Sequence, residues 1–244
     1  RFWISINSSN WNNSANWSTA SSGVGGATVP GAFDTVFFDG GGTGDCSLDV
    51  NISIAGNNVL AGYNGTISQG TRTIIVGSGG ANFSGGIFTG GNNTITISGN
   101  FFINGGTFNS TSSTLELRGN SVSLTGGAFN NNNGIVRMRA TAINNRTLSG
   151  PFIFNNLDFL IGGFGVGGEI IFCNIDPAFP ITINGNFSVT GDNIGRIQLN
   201  NGTIDCLGNI SFDYISPDSL SNGTATINIK GNSATQVLSG KSGR

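Results

Sequence analysis

The chain has 244 residues, of which 41 are Gly and 34 are Asn; 9% are charged, His is absent and the formal net charge is -2. That balance argues against several classes. A solvated disordered chain needs low hydrophobicity and high net charge, a nucleic-acid binder needs a basic footprint, and without His neither a His-based triad nor the commonest zinc ligand is available. Gly, Asn, Ser and Thr are poor helix formers, and no apolar run approaches the roughly 18 residues of a membrane-spanning helix.

Residues 1–45 hold all three tryptophans, Trp3, Trp11 and Trp17. They are predicted to form an N-terminal opening coil that caps a stack of repeats, because the first strand of such a stack exposes a raw edge. The start at Arg1-Phe2-Trp3 shows no charged-then-apolar leader, as expected of a processed chain or an interior piece of a longer one.

Residues 46–146 carry a regular repeat. Gly-Gly-x-Phe recurs as Gly85 to Phe88, Gly105 to Phe108 and Gly126 to Phe129, and Gly-Asn recurs at Gly99-Asn100 and Gly119-Asn120. Alternating triplets fall between them: Ile95-Thr96-Ile97, Leu115-Glu116-Leu117 and Val136-Arg137-Met138, with the same register reaching back through Thr73 to Val76. Period-2 alternation sends Ile95 and Ile97 to one face and the Thr and Ser neighbours to the other. Each unit reads as three short strands, Thr94 to Ser98, Phe101 to Asn104 and Thr107 to Asn109, with glycine corners between them. The extra residue of the longer repeat step is assigned to a bulge at Ser121. A unit of about 20 residues cannot bury its apolar face alone, so it must stack on its neighbours. Stacking in parallel register puts Ile95, Leu115 and Val136 in one buried ladder, and Ile97, Leu117 and Met138 in another.

Residues 147–244 continue the pattern less regularly, with Pro151, Pro177 and Pro180 interrupting strands. Alternation resumes at Ile181-Thr182-Ile183 and runs to Ile227-Asn228-Ile229. The expected fold class is all-β, a parallel β-solenoid (β-helix) with rungs of about 20 residues, ten to twelve in number. The alternative, a sandwich of short antiparallel strands, does not require a fixed repeat.

Candidate sites are sparse. Asp34, Asp39, Asp45 and Asp49 surround Gly40 to Gly44 and evoke a calcium loop, but the glycine-aspartate motif occurs once and out of phase, so turn residues are the expectation. A polysaccharide lyase or hydrolase needs converging acids. Glu116 and Glu169 are far apart in the repeat, and Asp205 and Asp213 lie in neighbouring strands without an obvious cationic partner. No catalytic, cofactor-binding or metal residue is therefore assigned. Cys46, Cys173 and Cys206 lack metal-site spacing; they read as small core residues, with a Cys173–Cys206 bridge as the alternative. Repeat alignment places Glu116 over Arg137 and Arg118 over Arg139 on the outward face. A solvated surface is the plain reading, and contact of Arg118, Arg137 and Arg139 with an anion or glycan is the sharper one. Thr94, Thr96, Thr224 and Thr226 suggest a threonine row of the ice-binding kind, interrupted by the charged positions. The Asn-x-Ser/Thr sequons at Asn51, Asn64, Asn82 and Asn201 follow from composition.

The segment from Asn16-Trp17-Ser18-Thr19-Ala20 through Val29-Pro30-Gly31 to Asp34-Thr35-Val36-Phe37 resembles the opening coil of autotransporter-type and filamentous-adhesin β-helices. Arg146 to Gly150, Phe154 to Leu157 and Gln236 to Gly240 are similar to repeats of very large bacterial surface proteins, often exported by type IX secretion. The resemblance covers most of the chain, and its motifs are scaffold motifs. No membrane barrel or type IX sorting domain is recognisable, and the last motif breaks off at Arg244, as expected of a longer protein. What the resemblance implies is a non-enzymatic, extracellular or cell-surface segment, an adhesin stalk or structural scaffold. Its partners would be surface glycans or other polymers, or outer-membrane secretion or anchoring machinery, with no nucleic acid, transmembrane segment or cofactor. The alternatives are a carbohydrate-active β-helix enzyme and a passive secretion cargo or fibre.

Overall fold

The computed structural model describes residues 1–139, 143–161, 170–191, 196–213, 223–231 and 235–240. These residues form an all-β structure in which parallel strands stack as a β-solenoid of about 8 turns, with rungs of about 22 residues. The turns are fewer than the ten to twelve expected because the later rungs are long. In-register residues Arg137 and Asp158 are 21 apart, but Asp158 and Ser188 are 30 apart. Contacts divide the chain into two compact units, Arg1–Gly119 with Leu124–Gly134, and Asn120–Ser123 with Ile135–Arg244.

In the first unit the alternating triplets stack as their pattern demands. Ile52, Ile74, Ile95 and Leu115 pair in sequence across four strands, and Ile54, Val76, Ile97 and Leu117 form the next column. All eight are buried, and each aliphatic side chain so removed from water contributes roughly 1.5–3 kcal/mol before the cost of ordering it. The second and third strands predicted in each rung are one strand, Phe101–Asn109, next to Ile95–Ile97. Gly105 marks a shift of register inside that strand and does not end it. The second glycine of Gly-Gly-x-Phe is left-handed in all three copies, with φ of 59° at Gly86, 65° at Gly106 and 69° at Gly127. A Cβ on Gly106 would lie 2.4 Å from the Gly85 carbonyl oxygen. The motif thus bends the chain where side chains have no room, and it delivers Phe88 and Phe108 face to face, their ring centroids 4.7 Å apart.

All three tryptophans are buried. Phe2–Trp3 pairs antiparallel with Trp17–Ser18 on one side and parallel with Thr35–Phe38 on the other, so the reversal closes the first edge. Trp3 and Trp17 pack edge to face at 5.2 Å. Their indole N–H groups donate to the carbonyls of Gly44 and Trp11 at 2.9 and 2.8 Å, which satisfies the polar ends of these buried rings.

In the second unit Val136, Leu157, Phe187, Ile210 and Leu238 form one column, and Met138, Phe159, Val189 and Phe212 the next. The predicted ladder runs from Ile95 to Leu115 in register in the first unit, and Val136 and Met138 are buried as predicted. A separate sheet stacks Ile181, Ile204 and Ile227. Cys173 pairs with Arg146 and Leu199, whereas Cys206 pairs with Ile183 and Ile229. They occupy different columns, and all three cysteines are free and buried. The Cys173–Cys206 bridge held open above is therefore not formed. Ser121, assigned to a bulge, opens the strand Ser121–Asn130 and pairs with Thr147.

Candidate binding groove

Five parallel strands of the second unit, Ile135–Arg139, Asn156–Ile161, Phe187–Gly191, Ile210–Asp213 and Leu238–Gly240, lie side by side. Because strand residues alternate between faces, the positions between the buried columns point outward and meet in an open groove of about 580 Å³. Its central row runs Arg137, Asp158, Ser188, Ser211, Ser239. Inside the first unit, by contrast, the space among Ile54, Phe83, Ile97 and Phe108 is about 30 Å³, room for a water and no more.

Asp158 organises the groove floor. One carboxylate oxygen, Oδ2, accepts from Arg137 Nε at 2.8 Å, and Oδ1 accepts from the hydroxyls of Ser188 and Thr190, both at 2.9 Å. The carboxylate is buried while the Arg137 side chain is one-third exposed. Three donors from two neighbouring strands fix its orientation, and the adjacent guanidinium balances its charge. Beside this row runs an amide ladder. Asn156 Oδ1 accepts from the backbone N–H of Asn186, Asn186 Oδ1 from Asn209, and Asn209 Oδ1 from Val237, at 2.8, 3.0 and 2.9 Å.

Of the three arginines singled out from the sequence, the structure places Arg137 in this groove. Arg118, just past the strand that carries Glu116, bonds that carboxylate, Nε to Oε1 at 2.6 Å. Glu116 is on the outward face, as expected, yet 7% exposed. Arg139 pairs in register with Leu160, and its carbonyl accepts from Arg146. Arg146 was singled out only within a surface-protein motif, and the structure puts it inside, 1% exposed. Burial brings its guanidinium down to about 10 and pushes the Cys173 thiol beside it up to about 12. That thiol stays protonated near neutral pH and is a poor nucleophile.

The acidic stretch near the N-terminus is occupied by turns and rung contacts. Asp39 accepts from Gly41 N, Asp45 from Thr66 N, Asp49 from Asn12 N and Asp34 from Gly31 N, at 2.8, 2.8, 2.9 and 3.0 Å. Among the described residues no three His, Cys, Asp or Glu side chains gather as a metal site. Asp205, read as lacking a cationic partner, has one: Lys230 Nζ lies 2.7 Å away, and Asn228 Nδ2 donates at 2.8 Å. The partner was hidden because it sits in the next rung, 25 residues on. Glu169 falls outside the described residues. The threonine row is broken at once, since Thr96 is flanked in register by Ile75 and Glu116, and Thr224 accepts from Asn201 N at 2.9 Å.

Two signals in the sequence could have found the groove. One is the 21-residue step from Arg137 to Asp158; the other is Ser188-x-Thr190, the alternation that turns both hydroxyls toward one face. No helix of the described residues is long and apolar enough to cross a membrane. No protein-family model matches the chain, and neither the curated proteins nor the solved structures give a match.

Proposed function

We propose that this chain is a non-enzymatic β-solenoid scaffold of a secreted or cell-surface protein, a stalk that spaces or displays adhesive surfaces. The observation that carries the reading is the use made of the carboxylates. Asp158 is tied to Arg137, Glu116 to Arg118 and Asp205 to Lys230, while Asp39, Asp45 and Asp49 accept backbone N–H groups. Asp176 accepts from Ser149 Oγ and Ala178 N. General acid–base cleavage of a glycan requires two carboxyl groups facing one bond with separated proton affinities. Carboxylates spent on holding rungs together serve shape instead. The outward Ser, Thr and Asn positions hydrogen-bond without acting as acids or bases near neutral pH. Repetition of weak contacts along such a scaffold raises avidity through effective concentration. Surface glycans or other cell-surface polymers are the partners in this reading, and outer-membrane export or anchoring machinery, of the type IX kind, is its route.

The test is incubation of the purified chain with neutral and uronate-containing polysaccharides, with reducing ends and unsaturated products measured over time. No sustained release is expected. Release that disappears on replacing a single Asp or Glu would overturn the scaffold reading in favour of an enzyme.

A further inference from the structure

The groove of the second unit carries a preorganised polar floor, and its chemistry restricts what it can hold. Its two charges, Arg137 and Asp158, are paired at 2.8 Å. A ligand carboxylate or sulfate approaching Arg137 competes with a carboxylate already in place and adds repulsion from it. A ligand ammonium meets an Asp158 whose oxygens already accept three hydrogen bonds. Hydroxyl groups face neither penalty. Ser188 and Thr190 donate their protons to Asp158 and so turn lone pairs outward as acceptors. Arg137 bonds Asp158 through Nε, and a guanidinium has further N–H donors on its terminal nitrogens. Ser211 and Ser239 add hydroxyls on the next two rungs. The groove therefore offers donors and acceptors in series on parallel strands about 4.8 Å apart, with no net charge on its floor.

We infer that this groove is a binding site for a neutral, hydroxyl-rich oligosaccharide laid across the strands from Arg137 to Ser239. The inference rests on the reading above that glycans are bound and not cleaved. Of the two contacts expected from the sequence at Arg137, an anion or a glycan, it selects the glycan: the arginine serves as an oriented donor to sugar hydroxyls rather than as an anion trap. The absence of an exposed aromatic platform along the central row makes each contact weak, in keeping with avidity as the source of adhesion.

The experiment uses the whole chain, isotopically labelled, titrated with cellohexaose, maltohexaose and laminarihexaose, and with hexagalacturonate as the anionic comparison. At least one neutral hexasaccharide is expected to shift the amide signals of Ser188, Ser211 and Ser239 at millimolar concentration. Ser211→Trp, which fills the groove, should weaken that binding about tenfold or more without lowering the melting temperature. If that variant fails to fold, Ser239→Trp at the exposed end makes the same test. Shifts confined to another face, unchanged affinity in the filled variant, or no response to any neutral sugar would overturn the inference. So would tighter, salt-sensitive binding of hexagalacturonate, or selective shifts with an extended peptide in place of sugar. Failure here without product release leaves the scaffold reading intact. Product release, in contrast, ends the scaffold reading even if the groove is occupied.

Discussion

The interior of the first unit sets an aromatic stack beside its two aliphatic ladders: Phe83, Phe88, Phe101 and Phe108 lie within 4.7 to 6.3 Å of one another in the contacts they share. Its outward polar positions pair like with like, Asn82 with Asn104 at 2.8 Å and Asn109 with Asn130 at 2.7 Å. The second unit also stacks apolar columns, but it admits a buried Arg146 and places a buried carboxylate, Asp158, on its outward face. Short rungs of one length keep equivalent side chains in register and close the surface. Rungs that lengthen to 30 residues let unlike residues meet, and a groove with organised polarity results.

The largest effect expected from breaking this contrast is in the aromatic stack. Phe108→Ala should cost about 3–5 kcal/mol in urea unfolding, since its ring touches Phe83, Phe88 and Phe101; a loss under about 1 kcal/mol would mean the stack relaxes freely. Asp158→Asn should cost about 1–3 kcal/mol, because the charge-assisted bond to Arg137 and two hydroxyl contacts weaken together. That unfolding should be seen in probes of the second unit and not the first. Asn186→Ala removes one ladder acceptor, with an expected loss of about 1 kcal/mol and faster hydrogen exchange at the Asn209 amide.

The smallest effect belongs to Asp205. Hydrogen bonds from Lys230 and then Asn228 hold its carboxyl below the ordinary 3.8 against a small opposing effect of burial. A folded value lower than the unfolded one means that the stabilisation is present above pH 3.8 and disappears as pH falls through the depressed value. With Lys230 half exposed, the pair is worth about 0.2–1 kcal/mol. Asp205→Asn should therefore lower stability slightly at pH 7, with the loss shrinking as pH falls through the depressed value. A loss that stays constant through that acid titration would show that packing, not charge, was removed.

The parts of this architecture legible in the sequence are those governed by local period. Ile95, Ile97, Leu115 and Leu117 announce a two-residue alternation and a fixed repeat, and their in-register pairing follows. The tryptophan cluster stands out in the sequence as a departure from that repeat, and its three rings are buried. Strand number per rung was not legible, because Gly105-Gly106 bends a strand as readily as it ends one, and the outcome depends on the neighbouring rung. Of the groove, Arg137 was visible, and Asp158 lies one regular 21-residue step beyond it. Ser188 and Thr190 become neighbours of Asp158 only once the length of the 30-residue rung is known, which no local pattern encodes. Asparagine is frequent along the whole chain, yet Asn156, Asn186 and Asn209 join side chain to backbone across rungs, a role their frequency alone cannot reveal.

Those amide bonds have a direction. At Asn51 to Thr73, Asp45 to Thr66, and along Asn156, Asn186, Asn209 and Val237, the side-chain oxygen belongs to the earlier residue and the N–H to the later. A chain appearing N-terminus first, whether from a ribosome or an export pore, would meet each acceptor already held in the finished rung below. Asn12 N to Asp49 and Asn201 N to Thr224 run the other way, so the direction belongs to the amide ladder and not to every contact between rungs. The ladder thus gives the stack a grain, and a polymer that folds as it emerges can follow it one turn at a time.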